Sequence, residues 1–346
     1  MPETPLWITE ADVVRLMDMP AAIRALEAGL QAEARGAASN MTKTHVEWSS
    51  TGAGAGTSGG HATLHAIGAA FPEAGLVGTK TWAHTPGGAT PLLILYDANT
   101  GRLTAIVEAF ALGQFRTGAA SGVATKWLAA ANADELALIG TGKQSLTQVA
   151  AVAAVRTLRR VRVFGRDADR RRRVATRIRE ELGLDVLEAT TIADAVNGAP
   201  IVTTVTRARE PFLTAEMVGR GTHVNAVGAI TPGGAEIARD LLARCTRVVV
   251  DSPPQARRLS RELIDFYGTD DDRWQAVRPL SAIVAGRQQR TPADDLTLFK
   301  SLGMGISDLS LGIEIYNAAR TAGVGRPVAH PVPVALKLKK ESGRAI

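Results

Sequence analysis

Residues 135–155 read "ELALIGTGKQSLTQVAAVAAV". The run "LALIG" has the character of a buried strand, Gly140 and Gly142 mark a tight turn, and an alanine-rich helix follows. Strand, glycine turn and helix in that order make a phosphate cradle. Gly140 permits the turn, Gly142 lets the backbone approach a pyrophosphate, and the helix opening near Lys143 offers free N–H groups and the positive end of its dipole. The third glycine of the usual G-x-G-x-x-G pattern is replaced by Ser145. That glycine serves helix–strand packing, so a small serine is acceptable, and its hydroxyl can donate to a phosphate. The expected dinucleotide contacts here are Gly140, Thr141, Gly142, Lys143, Gln144 and Ser145. The competing reading is an ordinary glycine turn in a parallel fold; the strand–turn–helix context favours the dinucleotide.

From Glu135 onward the chain alternates regularly. Strand-like runs "RVRVFG" (160–165), "IVTTVT" (201–206), "THVNAVG" (222–228) and "RVVVD" (247–251) are separated by helical stretches. Short apolar strands between helices predict an α/β fold with a doubly wound parallel sheet covered on both faces. Before Glu135 the pattern differs. Thr9 is placed to cap "EADVVRLM", and a helix is predicted from Pro20 to Gly36. "GLVGTKTWAH" (75–84), "PLLILYD" (91–97) and "RLTAIVEA" (102–109) read as strands, the last two joined by the hairpin signal "ANTG". "RTGAASGVATKWLAAA" reads as a small-residue helix crossing between domains. "TGAGAGTSGGH" (51–61) is too glycine-rich for regular structure and is expected to be a mobile loop. Residues 306–323 predict a terminal helix that packs back on the first domain.

The strand ending "VFGRDAD" lies about 25 residues beyond Gly140, where the adenosine ribose of a dinucleotide would sit. Arg166 and Arg170 suit a 2′-phosphate; Asp167 suits a 2′-hydroxyl or caps the following helix. NADP(H) is therefore favoured, with NAD(H) possible.

Composition removes other classes. The 346 residues exceed one core, so two domains are expected. No apolar run approaches membrane-spanning length, so no membrane partner is expected. The N-terminus carries no leader pattern, and the single Cys245 fits a reducing, cytoplasmic setting. The net charge is +6, and the basic residues are densest in "RDADRRRRVATRIREE", without interleaved aromatics; aromatics are 4% of the chain, which argues against a nucleic-acid partner. "GTGKQS" lacks the P-loop's earlier glycine and its Ser/Thr. "GTSGG" (56–60) lacks the strand and helix of a nucleophile elbow. His61 and His65, four apart, have a metal-compatible spacing on a helix, but no further ligand is near, so no metal is expected.

Several stretches together resemble the ornithine cyclodeaminase/mu-crystallin family: "KTHV" (43–46), "GLVGTKTW" (75–82), "LLILYDANTGRLTAIVEA" (92–109), "FRTGAASGVAT" (115–125), "LALIGTGKQSLTQ" (136–148), "THVNAVG" (222–228) and "TLFKSLGMGISDL" (297–309). The resemblance covers about nine-tenths of the chain, in the family's order. It implies a substrate-binding and dimerisation domain from residues 1–118 and 318–346, a Rossmann domain over 119–317, a homodimer, and a nicotinamide-dependent reaction on a small amino or imino acid. Lys80 and Arg116 match the family's substrate-carboxylate ligands and are the candidate catalytic residues. An arginine fork and an ammonium suit a carboxylate physically. Lys43 stands where the family usually has arginine, and His65 stands near a position that varies among relatives. Thr117, Thr204, Thr206, Val227, Gly228 and Ser301 are expected to join the cofactor contacts.

One departure bears on the reaction. In "NAVGAITPGGAEI" (225–237) the family's usual aspartate is Ile230, and its lysine is Gly234. Cyclodeaminases use that aspartate on the substrate amine, and isoleucine neither accepts nor donates a proton. Hydride transfer to a C=N carbon beside a carboxylate, or its reverse, is therefore the expected reaction. The alternatives are a cyclodeaminase using another acid and a non-catalytic ligand-binding protein. The proton donor to nitrogen stays open among Lys80, His65, His84 and water.

Overall fold

The computed structural model describes residues 4–50 and 60–338. The chain builds two sheets. The first runs, in spatial order, Arg326–Pro327, Leu6–Ile8, Leu103–Glu108, Leu92–Asp97, Leu76–Thr85, Gly60–Phe71 and Ser39–Asn40, with Thr44–Ser50 also paired to Gly60–Phe71. It is antiparallel except for the parallel pair Leu6–Ile8 and Leu103–Glu108. The second sheet has eight parallel strands in the order Val186–Glu188, Arg160–Phe164, Glu135–Ile139, Ile201–Thr204, His223–Ala226, Leu296–Lys300, Cys245–Val250 and Val277–Pro279. All its strands run the same way, but the order in which successive strands are added reverses between Glu135–Ile139 and Ile201–Thr204. That is the switch point where open α/β sheets bind ligands.

Local signals were obeyed. Thr9 caps Glu10–Leu16 through a capping box with Asp12, and Asp18 caps Met19–Ala34. Asp97 accepts from the backbone of Asn99 and Thr100 and so closes the hairpin. Phe110–Leu128 crosses between the sheets: Thr125 accepts from Asn225, and the Leu128 carbonyl accepts from Thr297. Gly305–Ala322 packs on Met19–Ala34 and on the first sheet, as expected for the terminal helix. Leu93, Leu112, Ile306, Leu309 and Ile315 are fully buried in the shared core.

Two readings of the segment around His61 meet the structure. His61 and His65 lie on the strand Gly60–Phe71, where four residues span about 13 Å along one face, far beyond a shared metal. No group of metal-ligating side chains occurs among the described residues. The loop expected over Thr51–His61 lies, for residues 51–59, outside the described residues, and Gly60 and His61 begin the strand. No helix among the described residues is long and apolar enough to cross a membrane.

Candidate functional site

A cleft of about 1220 Å³ opens at the switch point and extends to the inner face of the first sheet. At one end stands the glycine turn. Gly140 has φ +124°, and a Cβ there would come 2.6 Å from the Val205 carbonyl, so only glycine fits. A Cβ on Gly142 would meet nothing within 4 Å, which leaves the turn open to a ligand. The helix Ser145–Ala153 has no side-chain cap, so its first donors are not consumed by one. This cradle fits a dinucleotide pyrophosphate. Arg166, Asp167 and Arg170 line the same end. Asp167 is the N-cap of Ala168–Leu182 and accepts from the Arg170 backbone at 2.9 Å; that hydrogen bond holds its carboxyl below the usual range.

The loops at the other strand ends are tied together by a buried residue that sequence reasoning missed. Glu236 accepts from the Thr204 hydroxyl (3.0 Å), the Thr206 backbone and hydroxyl (2.7 Å each), the Gly228 backbone (2.8 Å) and the Ala229 backbone (3.2 Å). Glu262 in turn accepts from the Glu236 backbone and pairs with Lys300 at 2.7 Å. One carboxylate therefore fixes both loops that carry Thr206, Val227 and Gly228 to the cleft wall.

At the far end are the cations. The strand registers place Ile67 opposite Lys80, and His45, His65 and Trp82 in one row. Their rings stack, with centroids 5.4 Å apart for His45 and His65 and 4.7 Å for His65 and Trp82. Burial, then Lys43 nearby, pushes the His65 imidazole down to about 4. Lys80 is 4% exposed and its ammonium meets Oδ1 of fully buried Asp308. Arg116 Nε stands 3.3 Å from the same oxygen. Burial pushes the Lys80 ammonium down to about 8 against the opposing pull of Asp308, and burial also lowers Lys43. Asp251 accepts from the backbones of Leu302 and Gly303 at 2.7 and 2.6 Å and from the Ser301 hydroxyl at 3.3 Å, which sets Gly303 against Arg116.

Of the residues expected from sequence, the cleft wall brings together Lys43, Arg116, Thr117, Gly140, Thr141, Gly142, Lys143, Gln144, Arg166, Asp167, Arg170, Thr206, Val227, Gly228 and Ser301, with Ile230 and Trp82 beside them. It does not bring Lys80, His65, Ser145 or Thr204 to its surface. Ser145 donates to the Gly142 carbonyl at 2.7 Å instead of facing outward, and Thr204 is committed to Glu236. Lys80 sits behind the wall with its ammonium 5.2 Å from the Trp82 ring centroid. Asp308, Asp251 and Glu236 were not anticipated; only "SLGMGISDL" and "GGAEI" in the resemblance pointed near them.

The ornithine cyclodeaminase/mu-crystallin family profile matches residues 4–323. The chain belongs to this family. It is 31% identical over 262 residues to a Δ1-pyrroline-2-carboxylate reductase of Bacillus cereus, covering 74% of this chain and 77% of that protein. Among solved structures, the Thermococcus litoralis Δ1-pyrroline-2-carboxylate reductase in complex with NADH and L-proline superposes with a TM-score of 0.83 at 25% identity, over 93% of this chain and all of that one. An archaeal alanine dehydrogenase dimer with bound NAD gives 0.83 at 26% identity, over 94% of this chain and 99% of that one.

Proposed function

We propose that this family member is an NAD(P)H-dependent oxidoreductase acting on the C=N carbon of a small imino acid, or in reverse on the corresponding amino acid. The observation that carries the reading is one cleft with a dinucleotide cradle at one end and Lys43 and Arg116, backed by Lys80, at the other. The relatives that reduce pyrroline-2-carboxylate or bind NADH with proline support it. The nicotinamide, when bound, supplies the hydride. The chain's own work is to bind, orient and shield. Arg116 offers a guanidinium fork to the carboxylate, Lys43 adds charge, and Lys80 holds a proton close behind them. With every group ionised, Lys43, Lys80 and Arg116 against the carboxylates of Asp308 and Asp251 carry a formal charge of plus one, which a monocarboxylate would neutralise. Ile67, Trp82 and Ile230 give the same cleft an uncharged lining.

The finer assignments are part of the same proposal. Arg166 and Arg170 in the cleft, with Asp167 engaged as a helix cap, favour NADP(H); the NADH- and NAD-bound neighbours keep NAD(H) in view. The first sheet with its helices is taken as the substrate-binding and dimerisation body and the second as the Rossmann body. A homodimer is supported by the archaeal dimer, and a cytoplasmic setting by the single cysteine.

The deciding experiment follows NADPH and NADH absorbance with Δ1-pyrroline-2-carboxylate, larger cyclic imines, and 2-oxo acids plus ammonia or methylamine. Oxidation matched to imine consumed is expected. Cofactor binding with no oxidation on any imino acid would replace the enzyme by a binding protein.

A further inference from the structure

We propose that Asp308 is a positioning residue for the reaction: one buried carboxylate oxygen holds both Lys80 and Arg116 in the arrangement that receives the substrate carboxylate. The inference rests on the imino-acid reading above and adds a residue to it. Asp308 lies on Gly305–Ala322, 228 residues from Lys80 in sequence, and is 0% exposed. Its Oδ1 meets the Lys80 ammonium and lies 3.3 Å from Arg116 Nε. Its Oδ2 has no hydrogen-bond partner among the described residues, nor has Arg116 Nε an aligned one. A buried carboxylate with an unused oxygen is costly unless its charge is needed. Here it is needed, because Lys80, Arg116 and Lys43 would otherwise crowd positive charge at one spot.

The arrangement is also directional. With Nε held 3.3 Å from Asp308 Oδ1, the guanidinium leaves its terminal nitrogens for a ligand. Gly303 leaves room beside Nη1, where a Cβ would come within 2.8 Å of it. Lys80 faces Asp308 from the sheet, Arg116 from the crossing helix, and Lys43 from the segment before Thr44–Ser50. Asp251 lies behind Gly303, and His65 and His84 lie in the neighbouring rows of the sheet. Burial, Arg116 and Lys43 all favour loss of the Lys80 proton; Asp308 opposes them. Removing the negative charge therefore makes Lys80 neutral at lower pH, and leaves Arg116 free to swing.

The test uses the full chain loaded with NADH and pyrrole-2-carboxylate, an inert planar monocarboxylate, titrated by calorimetry from about pH 6 to about pH 10. In the natural protein, affinity should fall as pH rises through the Lys80 transition at about 8. Asp308→Asn should weaken binding about 10- to 100-fold at neutral pH and move that fall toward acid, with NADH affinity unchanged. Asp308→Glu, which keeps the charge, should hold the fall where the natural protein has it while binding about tenfold more weakly. An asparagine variant that binds NADH normally yet shows the natural pH transition overturns the proposal. If the asparagine variant does not fold, a glutamate variant whose transition moves despite the retained charge does the same. Natural protein that binds the probe but turns over no imino acid sinks the reductase reading alone and leaves the Asp308 result intact.

Discussion

Gly303 lies against Arg116: it holds φ +83°, and a Cβ built on it would stand 2.8 Å from Nη1 of the guanidinium. The backbone conformation favours glycine, and a Cβ would push the guanidinium aside. The residue is held there by Asp251, which accepts its N–H at 2.6 Å, and by Gln255, which donates to its carbonyl at 2.8 Å. Gly303→Ala should therefore cost about 1 kcal/mol of stability from the left-handed backbone. It should also displace Arg116 and lower kcat/KM for the imino acid by about 10- to 100-fold, because a misplacement near 1 Å is enough for that loss. NAD(P)H affinity should not move. Steady-state kinetics beside a cofactor fluorescence titration checks this; an unchanged kcat/KM would separate Gly303 from the clamp.

The proposed NADP(H) preference rests on Arg166. It lines the cleft beyond the glycine turn, whereas neighbouring Arg171 is tied up, donating to the Gly165 carbonyl at 2.9 Å and pairing with Glu188 at 3.8 Å. Arg166→Ala should raise KM for NADPH about 10- to 100-fold and leave KM for NADH nearly unaffected, the loss of a charge-assisted contact. Equal changes for the two cofactors would remove the NADP(H) preference.

Acid stability should depend on His223. It is fully buried in the second sheet, between the Thr297 hydroxyl at 3.0 Å and Asn225 Oδ1 at 3.1 Å, and burial pushes its imidazole down to about 3 from an ordinary 6.5. Between those values the unfolded chain binds a proton that the folded chain refuses, so stability is lost as pH falls from 6.5 toward 3. Urea midpoints measured from about pH 7 down to about pH 4 should decline in the natural protein and decline less steeply in His223→Gln. Parallel slopes would assign the acid sensitivity elsewhere.

What the sequence made legible was local. The Gly140 turn, the Thr9 and Asp18 caps and the Asp97 hairpin depend on neighbours within a few residues, and the alternation after Glu135 carried the parallel sheet. The strand Gly60–Phe71 is not legible because "GHATLHAIGAAF" mixes glycine, histidine and small residues without clear alternation, and its two histidines, four apart, fit a helical spacing equally well. The carboxylates that arrange the site escaped for another reason: their partners are distant in the chain. Asp308 meets Lys80 across 228 residues and Asp251 meets Gly303 across 52. The identities of Lys80 and Ser145 were visible, but not that burial would turn each away from the cleft surface.

Ile230 decides between reaction classes. It lines the cleft and is 41% exposed, on the loop anchored by Glu236 through Gly228 and Ala229. A cyclodeaminase oxidises an amino acid, closes a ring on the imine and reduces it again, so it consumes no net cofactor and needs an acid–base group beside the amine at each stage. An aliphatic side chain stands in that slot, and Gly234 stands in the neighbouring lysine slot. Reduction should therefore consume NAD(P)H in step with imine, and neither ornithine nor lysine should release ammonia. Ile230→Asp should not speed reduction, since a carboxylate facing the cleft would offset the single positive charge that receives the substrate anion. Ammonia and reduced-cofactor absorbance are measured together, with ornithine or lysine and catalytic NAD. Ammonia released while absorbance stays level would restore cyclodeamination and require an acid–base group away from the Ile230 position, for which Asp308 behind Lys80 would be the first residue to replace.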